Sequence, residues 1–197
     1  VRYDAEHKQR TKARVLHEAA RSLRMNGPDK LGVADVMRSA GLTHGGFYAH
    51  FASKDELVSQ AIEEMFAQAL ARFEKVTAGR SAADGLAAYI ERYLSDTHRD
   101  ARDSGCPLAA ISTDIPRLHQ EARDGFERGA AQLASALADK LRGMGHDAPG
   151  ELAVSVLSEL VGAMVMARSI ADADRSAAVL QASRSQLLAR LGLESSG

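Results

Sequence analysis

Thr43, His44, Gly45, Gly46, Tyr48, His50 and Lys54 crowd into the segment 31–54, LGVADVMRSAGLTHGGFYAHFASK, and together carry the groups that contact nucleic acid. The imidazoles of His44 and His50 suit bases or phosphates. Tyr48 follows Phe47, which the spacing to Phe51 marks for burial, so Tyr48 is expected to point outward. Its hydroxyl suits a phosphate and its ring a thymine methyl. Lys54 is placed as a phosphate clamp. Gly45 and Gly46 would each cost a helix about 1 kcal/mol relative to Ala, so the pair suggests backbone that must approach a duplex closely.

Catalytic patterns fail on inspection. His17-Glu18-Ala19-Ala20-Arg21 has Arg where a zinc-protease motif needs its second histidine. The seven histidines lack metal-site spacing, and neither a GxxxxGK loop nor a GxSxG elbow occurs. Cys106, in SGCPL near an expected helix start, is read as a buried structural cysteine or, in the alternative, as a nucleophile or redox sensor. No enzyme, cofactor or metal is expected.

The elements that position the 31–54 residues have helix-turn-helix punctuation. Residues 33–40 form a bracing helix, Gly41-Leu42-Thr43 the turn, and 44–51 the recognition helix, so the motif covers about 32–51. Val36, Met37 and Ala40 share one face, Phe47 and Phe51 another, and Leu42 plugs the corner. Thr43 is placed to cap the recognition helix or to meet a phosphate. Ser53 with Glu56 reads as a capping box opening a long helix.

Residues 40–58, AGLTHGGFYAHFASKDELV, and 12–27, KARVLHEAARSLRMNG, resemble the TetR family of one-component bacterial transcriptional regulators. In the second segment Val15, Leu16, Ala19 and Leu23 form the core-facing stripe. The chain departs from the family pattern at Gly32 and Ala34, where a Thr and a polar or basic residue are usual. The resemblance implies an N-terminal three-helix DNA-binding domain over 8–69 and an all-helical ligand-binding and dimerising domain over 70–197. It also implies candidate effector contacts on helices that line the cavity of such proteins: Tyr89, Tyr93, Cys106, His119, Phe126 and Met164.

Charge placement agrees. The 197-residue chain has a net charge of −1, yet residues 1–54 hold ten Lys/Arg against five acids, leaving the remainder acidic. A basic head on an acidic body is the footprint of a protein that meets phosphate at one end. Lys8, Arg10, Lys12 and Arg14 are read either as an arm that follows the DNA backbone or as a solvated helix face. A single cysteine excludes an intramolecular disulfide and fits a reducing cytosol. Residues 1–25 are charged throughout and do not read as a signal peptide.

The rest of the chain reads as all-α, about nine helices in total. Expected spans are 54–78, 81–98, a polar loop over 99–105, a short helix over 106–112, a long helix from Pro116 to about 143, and two last helices over 150–170 and 174–191. The run 152–167 is apolar nearly all round, shorter than a bilayer span and interrupted by Glu159, so no membrane segment is expected. Such a helix needs cover on two sides. With the Leu180, Leu187 and Leu191 stripe it reads as half of a homodimer interface through about 150–191, or else as an internal core helix of a monomer. The expected whole is a cytoplasmic repressor that binds a pseudo-palindromic double-stranded operator and answers to a small, mainly apolar effector. The alternative is a DNA-binding dimerisation module with no effector.

Overall fold

Serine caps and glycine stops cut the chain into helices. The computed structural model describes residues 2–193 and contains α1 (Arg2–Asn26), α2 (Val33–Ser39), α3 (Lys54–Thr77), α4 (Ala82–Tyr93), α5 (Asp96–Asp100), α6 (Pro107–Ile111), α7 (Gln120–Gly143), α8 (Pro149–Ser169) and α9 (Ala173–Arg190). Short 3-10 turns occupy His44–Ala49, Arg102–Ser104 and Ile115–Arg117. No strand occurs among the described residues. The end of the expected body, 194–197, lies outside them.

Local chemistry explains the boundaries. The Ser53 hydroxyl accepts from the Glu56 N–H at 3.0 Å, while the Glu56 carboxylate accepts from the Ala52 N–H at 2.6 Å. This is the reciprocal capping box, displaced by one residue at its return bond. Ser81 caps α4 through the Asp84 N–H, and Asp172 caps α9 through the Arg175 N–H. Gly41 sits at φ +70° between bracing helix and recognition turn, a conformation in which a side chain would be strained.

The head is built as the spacing predicts. Val15, Ala19, Leu23, Val36, Met37, Ala40, Phe47 and Phe51 are buried, and the Phe47 and Phe51 rings stack at 5.5 Å. Ala20 joins the core and Leu16 is only partly buried. One expectation is corrected here and one pair of alternatives is resolved. The recognition element is a tight 3-10 turn, not an α-helix, and paired glycines with poor helix propensity account for that. Lys8, Arg10, Lys12 and Arg14 all lie on α1, in keeping with the helical alternative; their two-residue spacing sets Lys8 and Lys12 on one side and Arg10 and Arg14 on another.

The body wraps around α3, which packs most extensively on α7. At their crossing Gly129 faces Phe66, and any Cβ at 129 would overlap that ring. α8 lies between α7 and α9. At 21 residues α8 is longer than the apolar run suggested and is long and apolar enough to cross a bilayer. Here it buries Ala153, Val156, Leu160, Ala163, Met164 and Ala167 in the core. Its other face, with Val154, Ser158, Gly162, Val165 and Met166, is exposed.

Three boundaries differ from expectation. The fourth helix stops at Tyr93, because Leu94 leaves helical geometry. The expected 99–105 loop contains the end of α5 and a 3-10 turn; Ser95 caps α5 through the His98 N–H, and Arg99 pairs with Asp96 and Asp100. Pro116 falls inside the Ile115–Arg117 turn, so α7 begins only at Gln120.

Candidate functional site

One face of the head gathers the nucleic-acid candidates. Thr43, His44, Gly45, Tyr48 and Lys54 are exposed, Tyr48 at 73 %, and Gly46 and His50 are half-buried beside them. Thr43 makes no side-chain cap bond, contrary to the capping role its position suggested. A Cβ at Gly45 would meet nothing within 4 Å, and one at Gly46 would make only ordinary contact with Met37 at 3.7 Å. Neither glycine is required by the protein's own packing. α1 borders this face: the Lys12 ammonium lies 5.2 Å from the centre of the Phe51 ring. Burial of the His50 ring, with Lys8 and Lys12 nearby, holds its pKa below the ordinary histidine value. His50 is therefore neutral at pH 7, and its Nδ1 has no partner in the free protein.

A second site lies in the body, where α3, α4 and the 95–106 segment border a partly open cavity of about 120 Å³. Tyr89, Tyr93 and Cys106, three of the six candidate effector contacts, line it, with Ala69, Val76 and Leu133 as apolar wall. Phe73, Tyr89, Tyr93 and His98 form a chain of ring contacts at 4.8, 5.9 and 4.6 Å. Burial pushes the Tyr89 and Tyr93 hydroxyls above the ordinary phenol pKa, so both are neutral. The Tyr93 hydroxyl is buried against Cys106 without a hydrogen bond of acceptable geometry.

The other three candidates lie elsewhere. His119, which precedes α7, bonds the Ser59 hydroxyl through Nε2 at 2.8 Å and approaches Asp55 at 4.0 Å. Phe126 packs edge-on against Phe66 and lines an open groove between α7 and α8. Met164 is fully buried in the core. His119 is held by α3, Phe126 faces the α7–α8 groove and Met164 faces the core, so none of the three lines the cavity. Among the described residues no group of three His, Cys, Asp or Glu side chains is placed to hold a metal.

Residues 15–61 match the family model described as bacterial regulatory proteins, tetR family, and residues 82–186 match that of the LmrA/YxaF-like transcriptional regulator C-terminal domain. The chain belongs to the TetR family. Members are DNA-binding transcriptional regulators, not enzymes. The chain is 27% identical over 189 residues to the HTH-type transcriptional regulator Rv0196 of Mycobacterium tuberculosis, covering 90% of this chain and 94% of that protein. It is 26% identical over 103 residues to the HTH-type regulator YfiR of Bacillus subtilis; that match covers 52% of this chain and only half of the length of YfiR. It is 24% identical over 113 residues, 56% of this chain and 57% of the relative, to the transcriptional repressor NemR of Escherichia coli. The crystal structure of reduced E. coli NemR shares the fold, with a TM-score of 0.78 at 19% identity over 90% of this chain and 94% of NemR.

In this TetR-family body, sequence reasoning missed the residues that tie cavity to head. Arg24 of α1 is 5% exposed; its Nε donates to the Gly105 carbonyl at 2.9 Å and its Nη2 to the Met65 carbonyl at 3.2 Å. Burial, then the charge of Arg72, lowers the Arg24 pKa to about 10, so it stays a cation at neutral pH. Arg168 of α8 donates to the carbonyls of Arg99 and His98, and its Nη2 would lie 2.7 Å from any Cβ at Gly105. His98 is fixed by both nitrogens: one bonds the Tyr93 carbonyl at 2.7 Å, the other the Cys106 N–H at 3.2 Å. A carbonyl can only accept, so Nδ1 carries the proton and Nε2 is the acceptor. Burial lowers the His98 pKa to about 4 despite the Tyr93 bond, so the ring is neutral. None of these residues sits in a motif; only their three-dimensional convergence on 98–106 reveals them.

Proposed function

We propose that the chain is a ligand-responsive repressor that binds a pseudo-palindromic operator as a homodimer in the cytoplasm. The observation that carries this reading is the seam between the two sites: Arg24 of the DNA-facing unit holds the carbonyl of Gly105, next to the cavity residues Ser104 and Cys106. A ligand in that cavity therefore touches the segment on which the head rests. The units are proposed as 8–69 and 70–197. Thr43, His44, Tyr48, His50 and Lys54 would contact DNA, with Gly45 and Gly46 admitting the duplex close to the backbone. Tyr89, Tyr93 and Cys106 would contact the effector. Repression is supported by the likeness to a named repressor.

The exposed face of α8 supports the dimer. Val154 at 57 %, Val165 at 43 % and Met166 at 59 % exposed, with Gly162 and Ser158 between them, make an apolar, small-residue stripe suited to a two-fold copy of itself. Two recognition elements on one dimer would then meet successive major grooves. The effector must bind the DNA-incompetent state more tightly to release the operator. Sedimentation and operator footprinting, combined with a compound screen scored for both melting shift and operator release, test this reading. A dimer, a two-half-site footprint and at least one compound with both effects are expected. A monomer at micromolar concentration would remove the dimer, and a screen with melting shifts but no release would favour the effector-free module.

A further inference from the structure

The cavity has a sign. Arg72 and Arg92 line it, and no Asp or Glu does. The acids of the neighbouring segment are paired elsewhere: Asp96 and Asp100 with Arg99 at 2.8 and 2.7 Å, and Asp103 with Arg21 at 3.3 Å. Neither Arg72 nor Arg92 has a carboxylate within ion-pair distance among the described residues; Arg72 donates only to the Gly105 carbonyl, at 3.4 Å. Arg24 and Arg168, both guanidiniums at the same segment, add positive charge behind it. A half-buried cation without a counter-ion, as Arg72 is, is unfavourable unless something of opposite charge completes it, and the exposed Arg92 adds to the same positive field.

We infer that the effector is an amphipathic anion, a ring or short chain bearing a carboxylate, with its apolar part among Tyr89, Tyr93 and Leu133 and its charge paired to Arg72 inside the cavity and Arg92 at the exposed rim. This refines the expected mainly apolar effector and rests on the ligand-responsive reading above. Guanidinium and carboxylate match in a planar, two-bond fork, the strongest polar contact available at such a site. The cavity, at about 120 Å³, is of the size that admits a single aromatic ring. Neutral His98 adds no competing charge and supplies a flat ring at the cavity wall.

Three probes of one shape separate charge from shape: 3-phenylpropionate, 3-phenylpropanamide and 3-phenylpropylammonium, titrated calorimetrically into the full chain. The acid should bind at least about tenfold more tightly than the amide, a margin of about 1.4 kcal/mol typical of one charge-assisted contact. The ammonium should not bind. Arg72→Met should remove the preference for the acid, Arg72→Lys should keep part of it, and added salt should weaken the acid alone. Circular dichroism of each variant identifies any loss through misfolding, and in that case the salt response and probe order of the unmodified protein decide. Equal binding of acid and amide, or a preference for the ammonium, would overturn the charge assignment while leaving ligand response intact. Binding of none of the probes, when the broader screen does yield an operator-releasing compound that is neutral or cationic, would overturn the charge assignment too. Failure of that whole screen would instead remove the ligand-responsive reading and this inference with it.

Discussion

Arg24 on α1 and Arg72 on α3 donate to the same acceptor, the carbonyl oxygen of Gly105, at 2.9 and 3.4 Å. Two like charges on one oxygen form an unequal pair: the buried Arg24 holds the short bond, and the cavity-lining Arg72 the long one. Arg72 is therefore the partner that a ligand can draw away. Were it to leave, Arg24 and the Arg21–Asp103 pair would still hold the segment against the head.

Arg24→Met should lower stability by about 1–3 kcal/mol, because the Gly105 and Met65 carbonyls lose buried donors. The urea midpoint measures this. The head core of Val15, Leu23, Phe47 and Phe51 is untouched, so operator binding without effector should persist, while effector-induced release should be blunted. Unchanged release in this variant would show that the seam carries no coupling.

His98 predicts an acid-labile body. Its folded pKa of about 4 lies below the unfolded value of 6.5, so the unfolded chain binds the extra proton first. The stabilisation it contributes is complete above pH 6.5 and is lost as the pH falls from there through about 4. The shift corresponds to roughly 3 kcal/mol. Urea midpoints measured from pH 7 to pH 4 should fall more steeply for the unmodified protein than for His98→Gln, which cannot take up the proton. Parallel curves for the two proteins would contradict the neutral-ring assignment.

Gly45→Ala separates folding from DNA contact. No atom lies within 4 Å of the added methyl, and φ is not positive, so stability should be unchanged or raised by up to about 1 kcal/mol. Operator affinity should nevertheless fall, by roughly tenfold or more, because the methyl meets the duplex. Lys54→Ala should act differently, weakening binding to all sequences and reducing the salt slope by about one phosphate. Fluorescence anisotropy at several salt concentrations distinguishes the two. Unaltered affinity in the Gly45→Ala variant would move the duplex off this face.

Features fixed within a few residues were legible in the sequence. Ser53 with Glu56, Ser81 before α4, Gly41 at the turn and the Val36, Met37, Phe47 and Phe51 spacing all act over one or two helical turns, and each stands as read. The 3-10 form of the recognition turn and the five-residue α5 were not, since neither is long enough to show a period. Tyr89, Tyr93 and Cys106 meet in one cavity, whereas His119 and Met164 do not, because a residue's helix can be read without its rotation about the bundle. Arg72 looks like any charged helical residue until Gly105, 33 positions on, comes back against it.

The contact of Gly129 with Phe66 has a mechanical meaning. Glycine at 129 lets α7 pass directly against the Phe66 ring of α3, and a helix held at one close crossing can turn about it. Lys54 is twelve residues to one side of Phe66 and Arg72 six to the other, about 18 Å and 9 Å at 1.5 Å per residue. The arms stand at roughly two to one. A shift of about 1 Å at Arg72 becomes about 2 Å at Lys54, more than the few tenths of an ångström over which a hydrogen bond to phosphate tolerates stretching. On the proposed ligand-responsive reading, a small guest at the short end would unseat the long end from DNA, and enlarging residue 129 would stiffen or displace the fulcrum without touching either end.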